Sequence, residues 1–156
     1  MKILMVCLGN ICRSPLAEGI LQDKCRKSGL DWHIDSAGTN GFHNGEAPHY
    51  LSQKVAAKHH ISLQHQVSRQ LNITDIDTFD IIYALANDVL QDIKRIAGDK
   101  YDAKKIKLLM NEVHPTKHED VPDPWYGNEE GYHNVYAMLD KACDAVLKNN
   151  STLQNL

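Results

Sequence analysis

The sequence lacks a hydrophobic run long enough to cross a membrane, and it lacks a block of basic residues. Its apolar start, Ile3 to Val6, follows a single lysine and is interrupted by Gly9 and Asn10, which is far too short for a signal peptide or a membrane span. The 17 basic and 20 acidic residues are spread along the chain and leave a formal net charge of -3. We therefore expect a cytoplasmic protein with no membrane partner and no nucleic-acid partner.

Cysteine is sparse, since only Cys7, Cys12, Cys25 and Cys143 occur in 156 residues. Two disulfides are conceivable, but without a secretory signal the reducing cytoplasm makes free thiols the expectation. Cys25 and Cys143 fall in helical patterns, where a buried cysteine acts as a small apolar filler. Cys7 and Cys12 are the two that have chemically interesting neighbours.

Metal-binding patterns are also lacking. The chain has nine histidines, but His43, His49, the His59-His60 pair, His114 and His118 lie in polar loops or helices without the spacing of a metal site. We therefore expect solvated histidines, no bound metal and no cofactor.

What the chain does contain is an alternation of short apolar runs with helical patterns. The run from Lys2 to Cys7 is typical of a strand buried on both faces, and Ser14-Pro15 predicts a helix N-cap followed by the first helical residue. The alternation predicts a single-domain, three-layer α/β sandwich with a four-stranded parallel sheet over residues 1–150, and a frayed tail over 151–156. Predicted strands cover 2–7, 32–35, 79–85 and 106–110, and predicted helices cover 15–28, 47–60, 88–97 and 129–148.

The segment from Cys7 to Ser14 leaves a predicted strand and enters a predicted helix. Its backbone N–H groups can converge on an anion, and the helix dipole favours negative charge at the same point. Gly9 gives the backbone freedom, Asn10 tolerates a left-handed conformation, and Arg13 has the planar fork that binds two phosphate oxygens. Cys7 would face the phosphorus in surroundings that favour its thiolate, so it is the candidate nucleophile.

A cysteine separated from an arginine by five residues is common by chance, and most such cysteines are inert. Here a strand precedes the pair, a Ser-Pro helix start follows it, and Gly-Asn lies inside it. These three further conditions favour a functional loop. The expected phosphate-binding residues are Leu8, Gly9, Asn10, Ile11, Cys12, Arg13 and Ser14.

A phenolic phosphate also needs a proton donor for its leaving oxygen, normally a carboxyl on another loop. The candidate is Asp123, which lies between Pro122 and Pro124 and is followed by Trp125 and Tyr126. The two prolines stiffen the loop, and the two aromatic side chains could hold a phenol ring. Taken alone, the same residues are also consistent with an ordinary Asp-Pro turn.

Two runs, V-C-L-G-N-I-C-R-S-P from Val6 and D-P-W-Y-G from Asp123, closely resemble those of the low-molecular-weight protein tyrosine phosphatases. The resemblance covers nearly the whole chain and extends to residues 35–39, 68–70 and 79–80. It implies hydrolysis of phosphotyrosine in proteins, without a metal. Phosphotyrosine proteins and a tyrosine kinase are the partners it implies, phosphate or other oxyanions are the expected active-site ligands, and we expect a monomer or weak homodimer.

The resemblance also implies catalytic roles. Cys7 is the expected nucleophile, which forms a phosphocysteine intermediate, and Arg13 is the expected ligand of the phosphoryl oxygens. Asp123 is the expected general acid and then the general base. Cys12 matches a neighbour that forms a reversible disulfide with the oxidised nucleophile.

Supporting roles follow from the same resemblance. Ser14 is expected to stabilise the thiolate of Cys7 by a hydroxyl hydrogen bond, and Asn10 and Ser36 belong to the network that keeps the loop in shape. The aromatic positions expected to line the substrate cleft are Phe42, Trp125 and Tyr126.

The chain departs from the family pattern in two places. The family usually has Ala-Met-Asp at the end of the third strand, whereas this chain ends that strand with Ala86, and Asp88 is the nearest acidic residue. The family often has a histidine three residues before Arg69, where this chain has Gln66 beside His65. Both departures fall on the supporting network.

Three other functions are compatible with such a loop. An arsenate reductase of this fold needs further cysteines near the third strand, and residues 80–95 contain none. A protein arginine phosphatase would be expected to have threonine in place of Ile11. A module that only binds phosphorylated partners would not need Cys7, Arg13 and Asp123 together.

Overall fold

The strands of the protein are β1 (Lys2–Cys7), β2 (His33–Gly38), β3 (Ile81–Ala84) and β4 (Ile106–Leu108). In the computed structural model, which describes residues 1–154 and the side chains of residues 1–151, they form one four-stranded sheet in the order β2-β1-β3-β4. All three pairings are parallel. The predicted parallel sheet is therefore confirmed, with β1 at its centre.

Helices cover both faces of this sheet and complete the predicted three layers. The helix that follows β1 packs on β1 and β2 and against the helices that begin at Tyr50 and Glu129. The helix that begins at Asn87 packs on β3 and β4, and the short helix that begins at Ile73 packs against it. The helices are α1 (Arg13–Lys27), α2 (Tyr50–Lys58), α3 (Ile73–Thr78), α4 (Asn87–Ala97) and α5 (Glu129–Gln154). Short 3₁₀ turns at Gly98–Lys100 and Leu109–Glu112 flank β4.

The two faces of β1 supply two separate apolar cores. Ile3, Met5 and Cys7 belong to the core under α1 and α5, whereas Leu4 and Val6 belong to the core under α4. Because every residue from Ile3 to Cys7 is buried, the strand is apolar at each position rather than at alternate ones. This is the burial that the sequence of β1 predicts.

The helices differ from the prediction in α2, α3 and α5, and α2 is shorter than the predicted 47–60 at both ends. The prediction missed α3, which begins with a capping box: the side chain of Asn72 accepts from the N–H of Asp75, and the Asp75 carboxylate accepts from the N–H of Asn72. The last helix was predicted to end at residue 148 but continues to Gln154, so residues 151–154 of the predicted frayed tail are helical. Buried Asn150 donates to the hydroxyl of Tyr83 at 3.4 Å, which attaches this end of the helix to β3. The last two residues of the predicted tail, 155 and 156, lie outside the described part of the chain.

Candidate active site

Cys7 is the last residue of β1, so its side chain stands at the carboxyl edge of the sheet, where parallel α/β sheets bind ligands. The register pairs it with Gly38 at the end of β2. A Cβ atom at Gly38 would lie 2.8 Å from the carbonyl oxygen of Leu8 and 3.0 Å from the amide nitrogen of Asn10. The loop after Cys7 therefore passes directly over β2, and a glycine is required beneath it.

The loop turns at Asn10, which has a φ of 58°. This left-handed conformation is one that asparagine tolerates better than most residues, as the sequence predicted. Gly9 has no positive φ, and its value to the loop is lack of bulk, since a Cβ there would lie 3.0 Å from Cδ2 of His43. Glycine thus allows close approach at position 9, and asparagine makes the turn.

The buried hydroxyl of Ser14 lies 3.0 Å from the sulfur of Cys7. The sequence predicted Ser14 as the N-cap of α1, and this prediction is wrong. The helix already begins at Arg13, with Cys12 at the N-cap position, and no described side chain caps its first turn. The Ser14 hydroxyl is directed at Cys7 instead, which leaves a helix N-terminus without side-chain partners under the loop.

Arg13 is 4% exposed and reaches from the first turn of α1 across the site. Its Nη1 donates to the carbonyl oxygen of Val121 at 3.0 Å, and its Nη2 lies 3.9 Å from Oδ2 of Asp123. The N–H of Val121 in turn donates to the carbonyl of Leu85 at the end of β3. Arg13 is thereby fixed by the backbone of the loop that carries Asp123.

Asp123 adopts a turn that holds its carboxylate. Its Oδ1 accepts from the N–H of Trp125 at 3.1 Å, while its Oδ2 faces Arg13. The same loop is tied to α4 because Asp120 accepts from the backbone N–H of Asn87 at 2.7 Å. The Asp-Pro turn and a carboxyl directed at the site, which the sequence left as alternatives, occur together.

These groups surround a cavity of about 240 Å³. The exposed fractions of Phe42 (86%), Trp125 (41%) and Tyr126 (92%) leave aromatic surface available at its mouth. Of the predicted site residues, Asn10, Ser14 and Ser36 do not line this cavity. The side chains of Asn10 and Ser14 instead form hydrogen bonds beneath the loop, to each other and from Ser14 to the Cys7 sulfur. The lining residues are Cys7, Leu8, Gly9, Ile11, Cys12, Arg13, Asn40, Phe42, His43, Asp123, Trp125 and Tyr126.

Two histidines that the sequence gave no reason to select support the aromatic wall. The rings of His43 and His49 lie with their centroids 5.5 Å and 5.3 Å from that of Trp125. Burial lowers the pKa of His49, and its Nδ1 accepts from the N–H of Leu51, so the neutral ring caps α2. His43 also pairs with the carboxylate of Glu46. The local sequence around His43 and His49 could not have indicated these contacts, because Trp125 lies in a distant segment of the chain.

The supporting network beneath the loop is centred on Asn10. Its Nδ2 donates to the hydroxyls of Ser14 at 2.8 Å and Ser36 at 2.9 Å, and its Oδ1 accepts from the backbone N–H of Arg69 at 3.0 Å. The Ser36 hydroxyl then donates to the buried carboxylate of Glu18. The sequence selected Asn10, Ser14 and Ser36 for this network but not Glu18.

The two departures from the family pattern have clear structural outcomes. Ala86 is the N-cap residue of α4 without a side-chain cap, and Asp88 in the first turn accepts from the N–H of Val89. Gln66 is buried, and its Nε2 donates to the carbonyl of Pro15 in α1 while its Oε1 has no partner among the described residues. Asp88 therefore has a local hydrogen bond of its own, and Gln66 attaches to the helix backbone.

Cys12 is a buried residue of the cavity lining, and its sulfur lies 3.5 Å from the hydroxyl oxygen of Tyr132. Burial raises the pKa of the Cys12 thiol to about 12, partly opposed by the hydrogen bond with Tyr132. All four cysteines are free thiols. Cys12 is therefore a neutral thiol at neutral pH.

Within residues 1–154, no group of three or more His, Cys, Asp and Glu side chains is arranged to hold a metal ion. None of the described helices is both long enough and apolar enough to span a bilayer.

Comparison with known proteins gives a consistent result. The family model described as low molecular weight phosphotyrosine protein phosphatase matches residues 2–155. The low molecular weight protein-tyrosine-phosphatase YfkJ of Bacillus subtilis is 38% identical over 149 residues, which cover 94% of this chain and 93% of that protein.

Solved structures are similar over the same length. The crystal structure of a protein tyrosine phosphatase from Entamoeba histolytica, with Hepes in its active site, has a TM-score of 0.91 and 33% identity and covers 99% of each chain. The Drosophila arginine phosphatase DARP has a TM-score of 0.88 and 30% identity and covers 96% of this chain and 97% of that one. Overall similarity therefore relates the chain to proteins that are named for two different phosphoamino acids.

Proposed function

The chain belongs to the low molecular weight phosphotyrosine protein phosphatase family, and we propose that it hydrolyses phosphotyrosine in proteins through a phosphocysteine at Cys7. One observation carries the proposal. Cys7, Arg13 and Asp123 line a single cavity whose mouth is formed by aromatic side chains. A nucleophile, an anion ligand and a proton donor are the groups that this reaction needs.

In the first half of the reaction, the thiolate of Cys7 attacks the phosphorus. The S–P bond forms as the P–O bond to the phenol breaks, and Asp123 gives its proton to the leaving oxygen. Arg13 binds the equatorial phosphoryl oxygens, assisted by the N-terminus of α1. Ser14 donates a hydrogen bond to the Cys7 sulfur, which stabilises the thiolate.

In the second half, Asp123 is a carboxylate and accepts a proton from water. That water attacks the phosphorus, the S–P bond breaks, and Cys7 leaves as a thiolate that Ser14 again stabilises. The products are phosphate and the free enzyme. Every proton moves between side chains, substrate and water, so the reaction requires no metal in this proposal.

The aromatic wall supports phosphotyrosine as the substrate. Trp125 and Tyr126 offer flat apolar faces for a phenyl ring, and Ile11 adds an aliphatic contact on the cavity wall. The similarity to an arginine phosphatase makes phosphoarginine the second candidate. Ile11 is the residue that favours tyrosine here, since threonine is the expectation for an arginine phosphatase.

The proposal is tested by initial rates on a phosphotyrosine peptide, on phosphoarginine and on arsenate with a thiol reductant, all in the presence of a chelator. We expect the phosphotyrosine peptide to react fastest and vanadate to inhibit the reaction. Cys7→Ser should abolish turnover, because a serine hydroxyl does not ionise near neutral pH and cannot replace the thiolate. Cys25→Ala is the matched control, since Cys25 is buried in α1 away from the cavity. Phosphoarginine as the best substrate, activity that depends on added metal, or an active Cys7→Ser variant would contradict the proposal.

We further propose that the partners are phosphotyrosine proteins and that phosphate is the last product to leave the active site. The free thiols of all four cysteines support a reducing, cytoplasmic location.

A further inference from the structure

A buried carboxyl lies beneath the loop, and the reaction steps above do not use it. Glu18, on α1, is 5% exposed. Its Oε1 accepts from the hydroxyl of Ser36 at 2.6 Å, and its Oε2 accepts from Nε2 of Gln22 at 3.1 Å. An ionisable group with so little solvent contact needs these partners to remain charged.

Glu18 is the far end of a continuous hydrogen-bonded chain that ends at the nucleophile. Ser36 contacts Asn10 at 2.9 Å, Asn10 contacts Ser14 at 2.8 Å, and Ser14 contacts the sulfur of Cys7 at 3.0 Å. Each atom of this chain belongs to a buried residue. The chain therefore exchanges few hydrogen bonds with water, and the protons available within it decide which way each bond points.

Counting donors shows that the chain has one favoured direction. Nδ2 of Asn10 has two protons and no free acceptor, so both serine hydroxyls must accept from it. The single proton of Ser36 is then free to go to Glu18, and the single proton of Ser14 is free to go to Cys7. An ionised Glu18, which can only accept, is compatible with this direction alone.

The opposite direction requires the amide of Asn10 to turn over. Both serines would then donate to Oδ1 of Asn10, Ser36 would accept a proton from a neutral Glu18, and Cys7 would lose its donor. The bond from the Arg69 N–H to Oδ1 of Asn10 also opposes this rotation. The orientation of the Asn10 amide is therefore held in two ways: directly by the Arg69 N–H in the loop after α2, and through Ser36 by Glu18 on α1.

We propose that Glu18 is a positioning residue: by accepting the proton of Ser36 it fixes the direction of the chain, so that Ser14 gives its proton to Cys7. The inference rests on the proposed function only in taking Cys7 as the nucleophile.

The charges around Glu18 make its control dependent on pH. Burial raises the pKa of Glu18 to about 7, and the nearby carboxylate of Asp35 adds to the rise. The Ser36 and Gln22 hydrogen bonds and the guanidinium of Arg69 oppose it, although Arg69 is itself paired with Asp35 and Asp75. Above pH 7 the ionised Glu18 holds the chain in its favoured direction, and below pH 7 the neutral carboxyl can donate to Ser36 and releases that constraint.

The test measures alkylation of Cys7 by iodoacetamide as a function of pH, resolved from Cys12 by fragment mass spectrometry. In Glu18→Gln the neutral amide removes the obligatory acceptor. We expect the midpoint of the Cys7 alkylation profile to move to higher pH. At pH values above about 7, where wild-type Glu18 is ionised, we expect the alkylation rate to fall about tenfold, the effect of losing a hydrogen bond to a charged sulfur.

The direction in which the Cys7 alkylation midpoint moves distinguishes an effect of the hydrogen-bonded chain from a simple effect of removing a negative charge. Removing a negative charge near Cys7 would by itself favour the thiolate and move the midpoint to lower pH. Asp23→Asn is the matched control, because Asp23 is also a buried carboxylate of α1 but is paired with Arg26 and Lys27. We expect no upward shift in this control, and an equal upward shift in it would overturn the inference.

A second variant tests the intermediate link. Ser36→Ala breaks the chain between Asn10 and Glu18, so it should reproduce the upward shift, and adding Glu18→Gln to it should change nothing further. An unchanged or lowered midpoint in Glu18→Gln, or an undiminished effect of Glu18→Gln in the Ser36→Ala background, would overturn the inference. Alkylation requires no turnover, so phosphotyrosine hydrolysis measured on the same proteins reports separately on the proposed function.

Discussion

Nδ2 of Asn10 donates to the hydroxyl of Ser14 at 2.8 Å, in a residue whose own φ is 58°. A single side chain thus makes the turn of the loop and also directs the hydroxyl that faces Cys7. Glycine could adopt the same backbone turn, but it has no side chain to donate the hydrogen bond to Ser14. Substitutions at this position can therefore separate backbone conformation from hydrogen bonding.

Asn10→Ala and Asn10→Gly should lose activity to a similar extent, because both remove the bonds to Ser14 and Ser36. We expect kcat on p-nitrophenyl phosphate to fall at least about tenfold in each, as for loss of one or two hydrogen bonds in the site. Stability should differ: alanine at a positive φ should be about 1 kcal/mol less stable than glycine there. Urea unfolding of both variants measures this difference. Full activity in Asn10→Gly would mean that the hydrogen bonds of Asn10 are not needed.

Asp123 can be tested with two variants that differ in the turn. Asp123→Ala loses both the proton and the acceptor for the Trp125 N–H, whereas Asp123→Asn keeps an acceptor for that bond. We expect both to slow turnover of a phosphotyrosine peptide by about 10² to 10⁴, the usual contribution of general acid catalysis. A substrate with a very acidic leaving group should lose much less, because its oxygen leaves without a proton. Equal losses for both substrates would argue against Asp123 as the acid.

Gly38→Ala tests how closely the loop lies over β2. The new Cβ would lie 2.8 Å from the Leu8 carbonyl oxygen, which is backbone and has little room to move. We expect the free energy of unfolding to fall by about 1 to 3 kcal/mol, as for overpacked sites, and kcat to fall as the loop shifts. Chemical denaturation and initial rates measure the two effects.

The control for that substitution is Gly131→Ala in α5. A Cβ at Gly131 would meet the nearest heavy atom, Cβ of Pro124, at 3.8 Å, an ordinary contact. Helix propensity predicts a gain of up to about 1 kcal/mol in stability for this change. If Gly38→Ala were as harmless as Gly131→Ala, the close approach of the loop to β2 would be refuted.

The fold and the loop were predictable because their signals are local. The apolar run of β1, the turn at Asn10 and the start of α1 lie within adjacent residues, and the alternation of elements then fixes the carboxyl edge of the sheet as the site. The missed α3 also had a local signal, since Asn72 and Asp75 have the spacing of a capping box.

Other features have no signal in the sequence of a single segment. Glu18 enters the network only because α1 packs against β2 and brings its carboxyl to Ser36, 18 residues away along the chain. The N-cap prediction for Ser14 failed for a related reason: the same hydroxyl can cap a helix or contact a neighbouring sulfur. Tertiary packing decides between these two partners.

If Cys12 forms the protective disulfide that the family resemblance implies, its burial sets the rate of that step. Peroxide converts the Cys7 thiolate to a sulfenic acid, and attack by the Cys12 thiolate on that sulfur would form the disulfide and release the sulfenic oxygen as water. Because burial raises the pKa of Cys12 to about 12, the thiolate fraction is small at neutral pH and rises about tenfold for each pH unit.

We therefore expect disulfide formation to accelerate about tenfold per pH unit between pH 7 and 9, once Cys7 has been oxidised at a fixed lower pH and peroxide has been removed. Tyr132→Phe should slow the step at each pH, since the hydrogen bond of the Tyr132 hydroxyl lowers the pKa of Cys12. Quenching with acid followed by peptide mapping measures the rate. A rate that does not change with pH, or a bond from Cys7 to Cys25 or Cys143, would contradict this assignment, because buried Cys12 would then not be the attacking thiol.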